Sequence, residues 1–309
     1  MRNLITVAVL LCIILTTQAF CQDLEKVALI PWGSDDSSLG LINLPEVELV
    51  GPTSFSLDKD GNIIICDVVN ECIKKFDSKG KFVEVVAKDV FANHVAVDSK
   101  GDVFARLDKG AIDIYSNKKK VKNINIKSKV FLIEGYEQGI SISSNDDSDW
   151  LAVNDPKQNF YKVSELDGNI QNAKVTDNVK KYFGKPEKDN IVYRPKWVKP
   201  HYGFLERYTY DGEKLEPIEI TTNDRLGSIV FKGKDDDGNL YVETERIKDR
   251  YAHLEMRVYT PSGELLKTIE FPNDYYTTIY RKTWVKPSGE IIQMQTLPEG
   301  VLLSKNCKL

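Results

Sequence analysis

The residues best suited to acid–base or metal chemistry are the three histidines, His94, His201 and His253. Imidazole is a common zinc ligand and a proton carrier near neutral pH. The three occupy unlike contexts, NHVAVD, KPHYG and YAHLE, so they do not repeat one structural position. His94 lies at the start of a predicted strand, directly after Asn93. We therefore take Asn93 and His94 as candidate catalytic residues and expect the other two histidines to be structural or on the surface.

Calcium chemistry would instead need oxygen ligands, because Ca²⁺ prefers carboxylates and amide carbonyls. The suitable side chains are Asp67, Asn70, Asn93, Asn145 and Asn154. A simpler role explains Asp67 and Asn70, since Asp and Asn in turns hydrogen-bond to nearby backbone groups. Asp58 and Gly61 in SLDKDGNI are likewise the residue types that open and close a tight turn. The sequence predicts no metal site, and Ca²⁺ or Zn²⁺ belongs to an alternative enzyme interpretation.

A basic and aromatic stretch, residues 180–199, stands out in an otherwise acidic chain. Its candidate binding residues are Lys180, Lys181, Lys185, Arg194, Lys196 and Trp197. Such cations can pair with the anionic groups of a polymer while aromatic faces stack on sugars. The alternative is structural, with the aromatic side chains packed between repeats. Residues 118–129, KKKVKNINIKSK, are also basic and fit an outermost strand whose lysines discourage edge pairing.

The formal net charge of −4 argues against a dedicated nucleic-acid binder, which is normally basic. The first residues, MRNLITVAVLLCIILTTQAFCQ, have a positive start and a short apolar core, as secretory signal peptides do. We expect residues 1–21 to be removed and residues 22–309 to form one exported domain, periplasmic, cell-surface or extracellular. Cleavage after Ala19 and cleavage after Cys21 both fit. Phe20 is too bulky to favour a lipid anchor on Cys21, and no transmembrane segment is predicted.

Export makes disulfides permissible. Cys66 and Cys72 flank the turn DVVNE and could pair across a hairpin, or be two small buried residues on separate faces. A Cys21–Cys307 bridge requires cleavage after Ala19 and adjacent chain ends. The residues alone leave these alternatives open.

Turn signals recur along the chain and predict an all-β repeat. SLDKDGNI, AVDSKGDV, KDDDGNLY and VKPSGEII share one form, and FDSKGKF, ELDGNI, TYDGEKL and TPSGELL share a second. In each, Asp or Pro opens the turn and Gly closes it. Short β-branched and aromatic runs such as NIIICDV and NLYVETE lie between them. The best helix candidate is the single short stretch 176–184, TDNVKKYFG.

The second set of turns recurs about every 40–50 residues, the length of a four-stranded propeller blade. The last repeat is one strand short, while a spare strand precedes the first repeat. We therefore predict a six-bladed β-propeller of four-stranded antiparallel blades, with the ring closed by an N-terminal strand that removes its exposed edges. Seven blades are the alternative, because residues 175–205 are irregular.

Residues 51–82, GPTSFSLDKDGNIIICDVVNECIKKFDSKGKF, resemble an NHL repeat. The matching positions are Pro52, Asp58, Gly61, Asn62, Asp67, Asn70, Ile73 and Phe76. Cys72 stands where the family usually has Arg, and later repeats match only in part. The resemblance implies a six-bladed propeller of TolB-like architecture. It does not imply one activity, because one fold hosts many functions.

The function that we expect is a secreted or cell-envelope module that binds a protein, peptide or glycan through the loops around a central channel. No cofactor, nucleic acid or catalysis is predicted, and the oligomeric state is left open. The alternative is a metal-dependent lactonase- or lyase-like enzyme with its site in the channel. Such enzymes bind Ca²⁺ or Zn²⁺, and Asn93 and His94 would be the first residues to test.

Overall fold

A computed structural model of the chain describes residues 24–107, 111–125, 140–145, 148–153, 159–163 and 181–306. These residues form β-strands and no α-helix, as the turn pattern predicts. The first three sheets contain β2 (Phe55–Leu57), β3 (Ile63–Asp67), β4 (Cys72–Phe76) and β5 (Phe82–Lys88); β6 (Ala92–Val97), β7 (Val103–Leu107), β8 (Ala111–Ser116) and β9 (Lys119–Asn125); and β10 (Ile140–Asn145), β11 (Ser148–Val153), β12 (Asn159–Lys162) and β13 (Lys181–Phe183).

The remaining strands form three further sheets of the same kind. They are β14 (Lys185–Pro186), β15 (Ile191–Lys199), β16 (Tyr202–Thr209) and β17 (Lys214–Thr221); β18 (Arg225–Lys234), β19 (Leu240–Lys248), β20 (Tyr251–Tyr259) and β21 (Leu265–Phe271); and β22 (Thr283–Val285), β23 (Ile291–Leu297) and β24 (Gly300–Lys305) with β1 (Glu25–Pro31). Strand pairing is antiparallel throughout the described sheets. The first strands of several neighbouring sheets contact one another, namely β2 with β6, β6 with β10, β10 with β14 and β18 with β22, so the first strands are the innermost.

The N-terminal strand completes the last sheet, which confirms the predicted closure. β1 pairs antiparallel with β24, with Leu29 opposite Leu302 and Ile30 opposite Val301. This pairing gives the sixth sheet its fourth strand and covers the backbone edge of β24. Gly80 helps to seat the closing strand, because a Cβ added there would lie 2.2 Å from the Cβ of Ala28.

The core consists of apolar layers between neighbouring sheets. Ile63 and Ile65 pack in a layer with residues of the sixth sheet, whereas Ile64 packs in a layer with the second sheet. A strand covered on both faces needs a continuous apolar run rather than an alternating one. This requirement explains the run IIIC in β3.

The two described cysteines are free thiols on opposite faces of the first sheet. Cys66 lies opposite Ile73 and packs toward the second sheet. Cys72 lies opposite Asp67, one position further along the ladder, so its side chain points to the other face. Cys66 and Cys72 are therefore two separate buried residues and do not form the cross-hairpin disulfide that the sequence left open.

Two local predictions from the sequence have different outcomes. Residues 119–125 form the outermost strand of the second sheet, with Ile124 buried, as expected for the lysine-rich segment. The helix predicted for residues 176–184 is wrong at its end, because residues 181–183 form β13. Pairing with β12 outweighs the weak helical signal there; residues 176–180 lie outside the described part of the chain.

Candidate binding cleft at the mouth of the propeller

Two long connections lie on the same face of the ring. Residues 32–54 join β1 to β2, and residues 272–282 join β21 to β22. Each connection ends where the first, innermost strand of a sheet begins, at β2 and at β22. The first strands of all the sheets run in the same direction, so the two connections lie on one face. We call the face where the innermost strands begin the mouth face. Long connections on a rigid scaffold are common places for binding groups.

Residues 272–282 are held in place by polar side chains of β23. Gln293 Nε2 donates to the backbone oxygen of Pro272 at 2.7 Å, and Gln295 Nε2 donates to that of Asp274 at 2.9 Å. The backbone N–H of Thr277 donates to Thr296 Oγ1 at 2.9 Å. These bonds fix an irregular segment that has no ladder of its own.

The two connections enclose a cleft of about 490 Å³. Its lining residues are Glu48, Leu49, Asn273, Tyr275, Tyr276, Thr277, Thr278, Ile279 and Lys282. Asn43 Nδ2 donates to the hydroxyl of Tyr276 at 3.2 Å, which links the two walls. The lining combines hydroxyl, amide, aromatic and charged groups, a composition suited to recognising a polar ligand.

The ammonium of Lys282 already has polar and aromatic partners within the protein. Its Nζ is 2.7 Å from Glu245 Oε1 and 2.8 Å from Asn273 Oδ1, and it lies 5.3 Å from the centre of the Tyr275 ring. Burial raises the pKa of the Tyr275 hydroxyl, which accepts a hydrogen bond from Gln293 Nε2 at 3.0 Å. The raised pKa keeps Tyr275 a neutral phenol at pH 7, so it is not poised as a general base, and Lys282 is ion-paired to Glu245.

Arg281 fills part of the central channel. Its side chain is only 2% exposed, and its Nη1 donates to the backbone oxygens of Phe55 at 3.1 Å and Val95 at 2.8 Å. The neighbouring oxygen of Ser54 accepts from β3, so the Phe55 oxygen points away from its own sheet. Arg281 thus connects the innermost strands of the first and second sheets to the segment preceding β22.

The candidate catalytic residues lie under the same connection but do not line the cleft. His94 is 2% exposed and stacks on Tyr280, with ring centres 4.9 Å apart. Asn93 is half-buried, and its backbone oxygen accepts from Thr53 Oγ1 at 2.7 Å. Neither side chain is among those that line the cleft.

The three histidines lie on different sheets, with His94 on the second. Within the described residues, no three His, Cys, Asp or Glu side chains are grouped so that they could hold a metal ion. His201 is exposed on the fourth sheet, and His253 is half-buried on the fifth. The side chain of Asn145 and the whole of Asn154 lie outside the described residues.

The residues of the predicted basic patch do not share one environment: some are partly buried against the fifth sheet and others are exposed. Lys180 lies outside the described residues, and Lys181 belongs to β13. Lys185 Nζ is 3.1 Å from Glu187 and donates to the backbone oxygen of Lys232 at 2.6 Å, so it contributes to packing against the fifth sheet.

The rest of the patch lies on β15, where it is partly exposed. Arg194 Nε donates to Glu206 at 2.9 Å, and Lys196 Nζ is 3.5 Å from the same carboxylate. Trp197 is 48% exposed, and its Nε1 donates to the backbone oxygen of Leu226 at 3.2 Å. The patch is therefore not one continuous surface, and its role in binding stays a prediction.

The predicted turn residues have local backbone partners. Asp58 Oδ1 accepts from the backbone of Asn62 at 2.9 Å, and Gly61 has a φ of 79°. Asp67 Oδ2 accepts from Asn70 Nδ2 at 2.8 Å. Asp67 Oδ1 also accepts from the backbone of Gly40 at 3.0 Å, so this turn additionally binds the N-terminal connection.

The cleft residues are not among those predicted from the sequence. The available signal was the aromatic stretch DYYTTIYRKTW, residues 274–284, which interrupts the spacing of the turns. No pattern indicated that Glu48 would lie opposite Thr278, with Thr278 Oγ1 donating to Glu48 at 3.5 Å. Contacts between such distant positions depend on ring closure.

No family model and no curated protein matches the chain. Among solved structures, it is similar to a member of the DUF4221 family from Bacteroides vulgatus, with a TM-score of 0.52, 12% identity, and coverage of 93% of this chain and 98% of that one. It is also similar to a structure of Kuenenia stuttgartiensis hydrazine synthase, with a TM-score of 0.50, 14% identity, and coverage of 83% of this chain and 80% of that one. A chain of the mitotic checkpoint complex has a TM-score of 0.52 and 9% identity, with coverage of 95% of each chain.

At these identities the similarity shows the fold alone, and that fold is the β-propeller. The four-stranded sheets of the described residues, six in number, and the cleft on their mouth face are those of a propeller module. No helix in the described part of the chain is long and apolar enough to cross a membrane.

Proposed function

We propose that the protein is an exported, NHL-like β-propeller that binds a protein, peptide or glycan partner and catalyses no reaction. The cleft between residues 48–49 and 273–282 is the observation that carries this proposal. It is open, mixed in polarity and carried on long connections of the mouth face. Such sites bind ligands through shape and a few placed polar groups.

The chemistry of the cleft supports recognition rather than proton transfer. Lys282 already interacts with Glu245 and Asn273, and burial raises the pKa of Tyr275 above its ordinary value. The groups left to meet a ligand are aromatic rings, amides, hydroxyls and the carboxylate of Glu48. Bonds from β23 hold the segment before binding, which lowers the entropy that binding costs.

Export is supported by the signal-like residues 1–21, and the NHL-like type by the first repeat. The lactonase- or lyase-like alternative places its site in the channel instead. His94 is buried and stacks on Tyr280, so this alternative receives no support from an exposed imidazole.

The test is a screen of the mature protein against arrays of glycans and peptides, followed by titration of any ligand found. Tyr276→Ala should weaken binding about tenfold or more, because it removes an aromatic wall and its bond to Asn43. Tyr208→Ala is the matched control, since Tyr208 is also half-buried with a bonded hydroxyl but lies at the far end of β16. A ligand whose affinity is unaffected by Tyr276→Ala, or the absence of any ligand, would refute the proposal.

A further inference from the structure

Two neighbouring hairpins on the mouth face carry exposed aromatic and basic side chains. The hairpin β15–β16 presents Trp197, Val198 and Lys199, and the hairpin β19–β20 presents Lys248, Arg250 and Tyr251. Trp197 is 48% exposed, Val198 38% and Tyr251 74%. These residues, together with Arg225, form what we call the tip surface. Exposed apolar side chains grouped on one face indicate an interaction site.

The two hairpins are close to one another. Two bonds join the first hairpin to β18, the strand that pairs with β19: Trp197 Nε1 donates to the backbone oxygen of Leu226 at 3.2 Å, and the backbone N–H of Leu226 donates to the oxygen of Pro200. Arg225 lies opposite Ile247 in the ladder between β18 and β19, directly before Lys248. A single partner can therefore contact both tips.

The tip surface has an excess of positive charge. Lys199, Arg225, Lys248 and Arg250 are exposed, and none has an ion pair with a described residue. The nearby acids Asp224 and Glu270 are both bound by Arg246. Within the tips themselves, residues 196–202 and 248–251, Asp249 is the one acid. The complementary partner is therefore anionic.

The shape of the tips favours a flat partner over a polymer chain. The exposed side chains sit on two hairpin ends, and neither end contributes a lining residue to the cleft. An aliphatic residue beside an indole and a phenol suits the boundary between lipid headgroups and acyl chains, where aromatic rings accumulate. Nearby lysines and arginines add attraction to anionic lipids.

We propose that the tip surface docks the protein on an anionic lipid surface. Asn273, which lines the cleft, donates through Nδ2 to the backbone oxygen of Ala252 beside Tyr251, at 2.8 Å. Docking through the tips consequently holds the cleft near the headgroups. The proposal does not depend on the identity of the ligand in the cleft.

The test measures binding of the mature protein to vesicles of phosphatidylcholine, with and without about 30% phosphatidylglycerol, at low salt. We expect binding to the anionic vesicles at least about tenfold tighter than to the neutral ones, and weaker binding as salt rises. Lys199→Glu/Arg250→Glu should lose at least about tenfold in affinity. The control Lys79→Glu/Lys100→Glu has the same change of net charge on exposed turns of the opposite face, and it should bind like the wild type.

A second pair of variants tests the apolar contribution. In the wild type, insertion of Trp197 among the headgroups should shift tryptophan emission to shorter wavelength when vesicles are added. Trp197→Ala/Tyr251→Ala should weaken binding to anionic vesicles and abolish this shift. Leu265→Ala/Leu266→Ala removes exposed apolar groups from the opposite face, 49% and 47% exposed, and should change neither. Thermal unfolding of every variant establishes that it is folded.

Three results would overturn the proposal. They are the absence of vesicle binding, equal binding to neutral and anionic vesicles, and equal losses in the tip and control variants. Binding to heparin without binding to vesicles would also overturn it and would assign the tip surface to an anionic glycan. The array experiment with Tyr276→Ala measures ligand binding in the cleft, and the vesicle experiment measures docking of the tip surface. Either proposal can therefore fail without the other.

Discussion

The first and fourth sheets both place charged pairs on their second and third strands, but only one of these pairs is covered. In the first sheet, Lys74 Nζ lies 2.9 Å from Asp67 Oδ2, with the side chains 2% and 0% exposed. In the fourth sheet, Arg194 Nε lies 2.9 Å from Glu206, and the Arg194 side chain is 32% exposed. The residue types are similar, while the surroundings differ.

The cover over the first pair is the connection that follows β1. Lys74 Nζ donates to the backbone oxygens of Asp35 at 2.9 Å and Ser38 at 2.7 Å. Asn70 Nδ2 donates to the oxygen of Gly33 at 3.0 Å. Gly40 is needed for this close approach, because a Cβ there would lie 2.5 Å from Val69. A long connection thus buries both charges of the first sheet, whereas in the fourth sheet Glu206 is buried but its partner Arg194 stays accessible to water.

The largest expected effect is that of Lys74→Met. It leaves the Asp67 carboxylate buried without its cation and removes two bonds to residues 35–38, so we expect a loss of about 3–5 kcal/mol in the free energy of unfolding. Lys196→Met is the matched change in the fourth sheet, where the lysine side chain is 53% exposed, and it should cost less than about 1 kcal/mol. Urea unfolding at pH 7 measures both.

Equal losses in these two variants would contradict the difference in cover. Adding Asp67→Asn to Lys74→Met should recover part of the stability, since it removes the unpaired buried charge while the amide oxygen can still accept from Gly40. No recovery would mean that the bonds to the N-terminal connection, and not the ion pair, dominate.

Arg194→Met should have a smaller effect, about 1 kcal/mol, because Glu206 retains Tyr208 at 3.2 Å and Lys196 at 3.5 Å. Burial raises the pKa of Glu206, but Arg194 and the other partners outweigh it, so the pKa is lowered. The pair therefore stabilises the fold above the usual Glu pKa, and this contribution is lost as the pH falls through the lowered value.

The difference in unfolding free energy between wild type and Arg194→Met should accordingly shrink between pH 7 and pH 3. Urea titrations at the two pH values measure it, and NMR titration of Glu206 should show a higher pKa in the variant. A difference that does not depend on pH would mean that Arg194 acts by packing on Tyr208, whose ring centre is 5.6 Å from its guanidinium carbon.

The fold could be predicted because its signals are local and periodic. Gly61 and Gly80 close turns whose neighbours are short apolar runs, and the spacing of such turns gives the length of a blade. The missing strand at the C-terminus predicted the role of β1, which pairs with β24. Each of these inferences needs only the sequence within one repeat and the count of strands.

The cleft could not be predicted in the same way, because its residues lie in connections with no period. Tyr276 meets Asn43 only after the first and last sheets have closed the ring. Lys74 falls on a regular strand, and nothing in its neighbours shows that residues 35–38 would cover it. The faces of Cys66 and Cys72 likewise depend on the register of β3 against β4.

The channel is a third place with a buried charge, and it gives the smallest expected effect. The guanidinium of Arg281 donates to the oxygen of Val95, next to His94, so a cation bound beside His94 would be repelled. Elemental analysis of the mature protein should therefore find less than about 0.1 equivalent of Ca²⁺ or Zn²⁺, and a chelator should leave the thermal midpoint unchanged. About one equivalent of metal, with a large loss of stability on its removal, would instead favour the lactonase- or lyase-like enzyme. In that case, variants of Asn93 and His94 that lose the metal would locate its site in the channel.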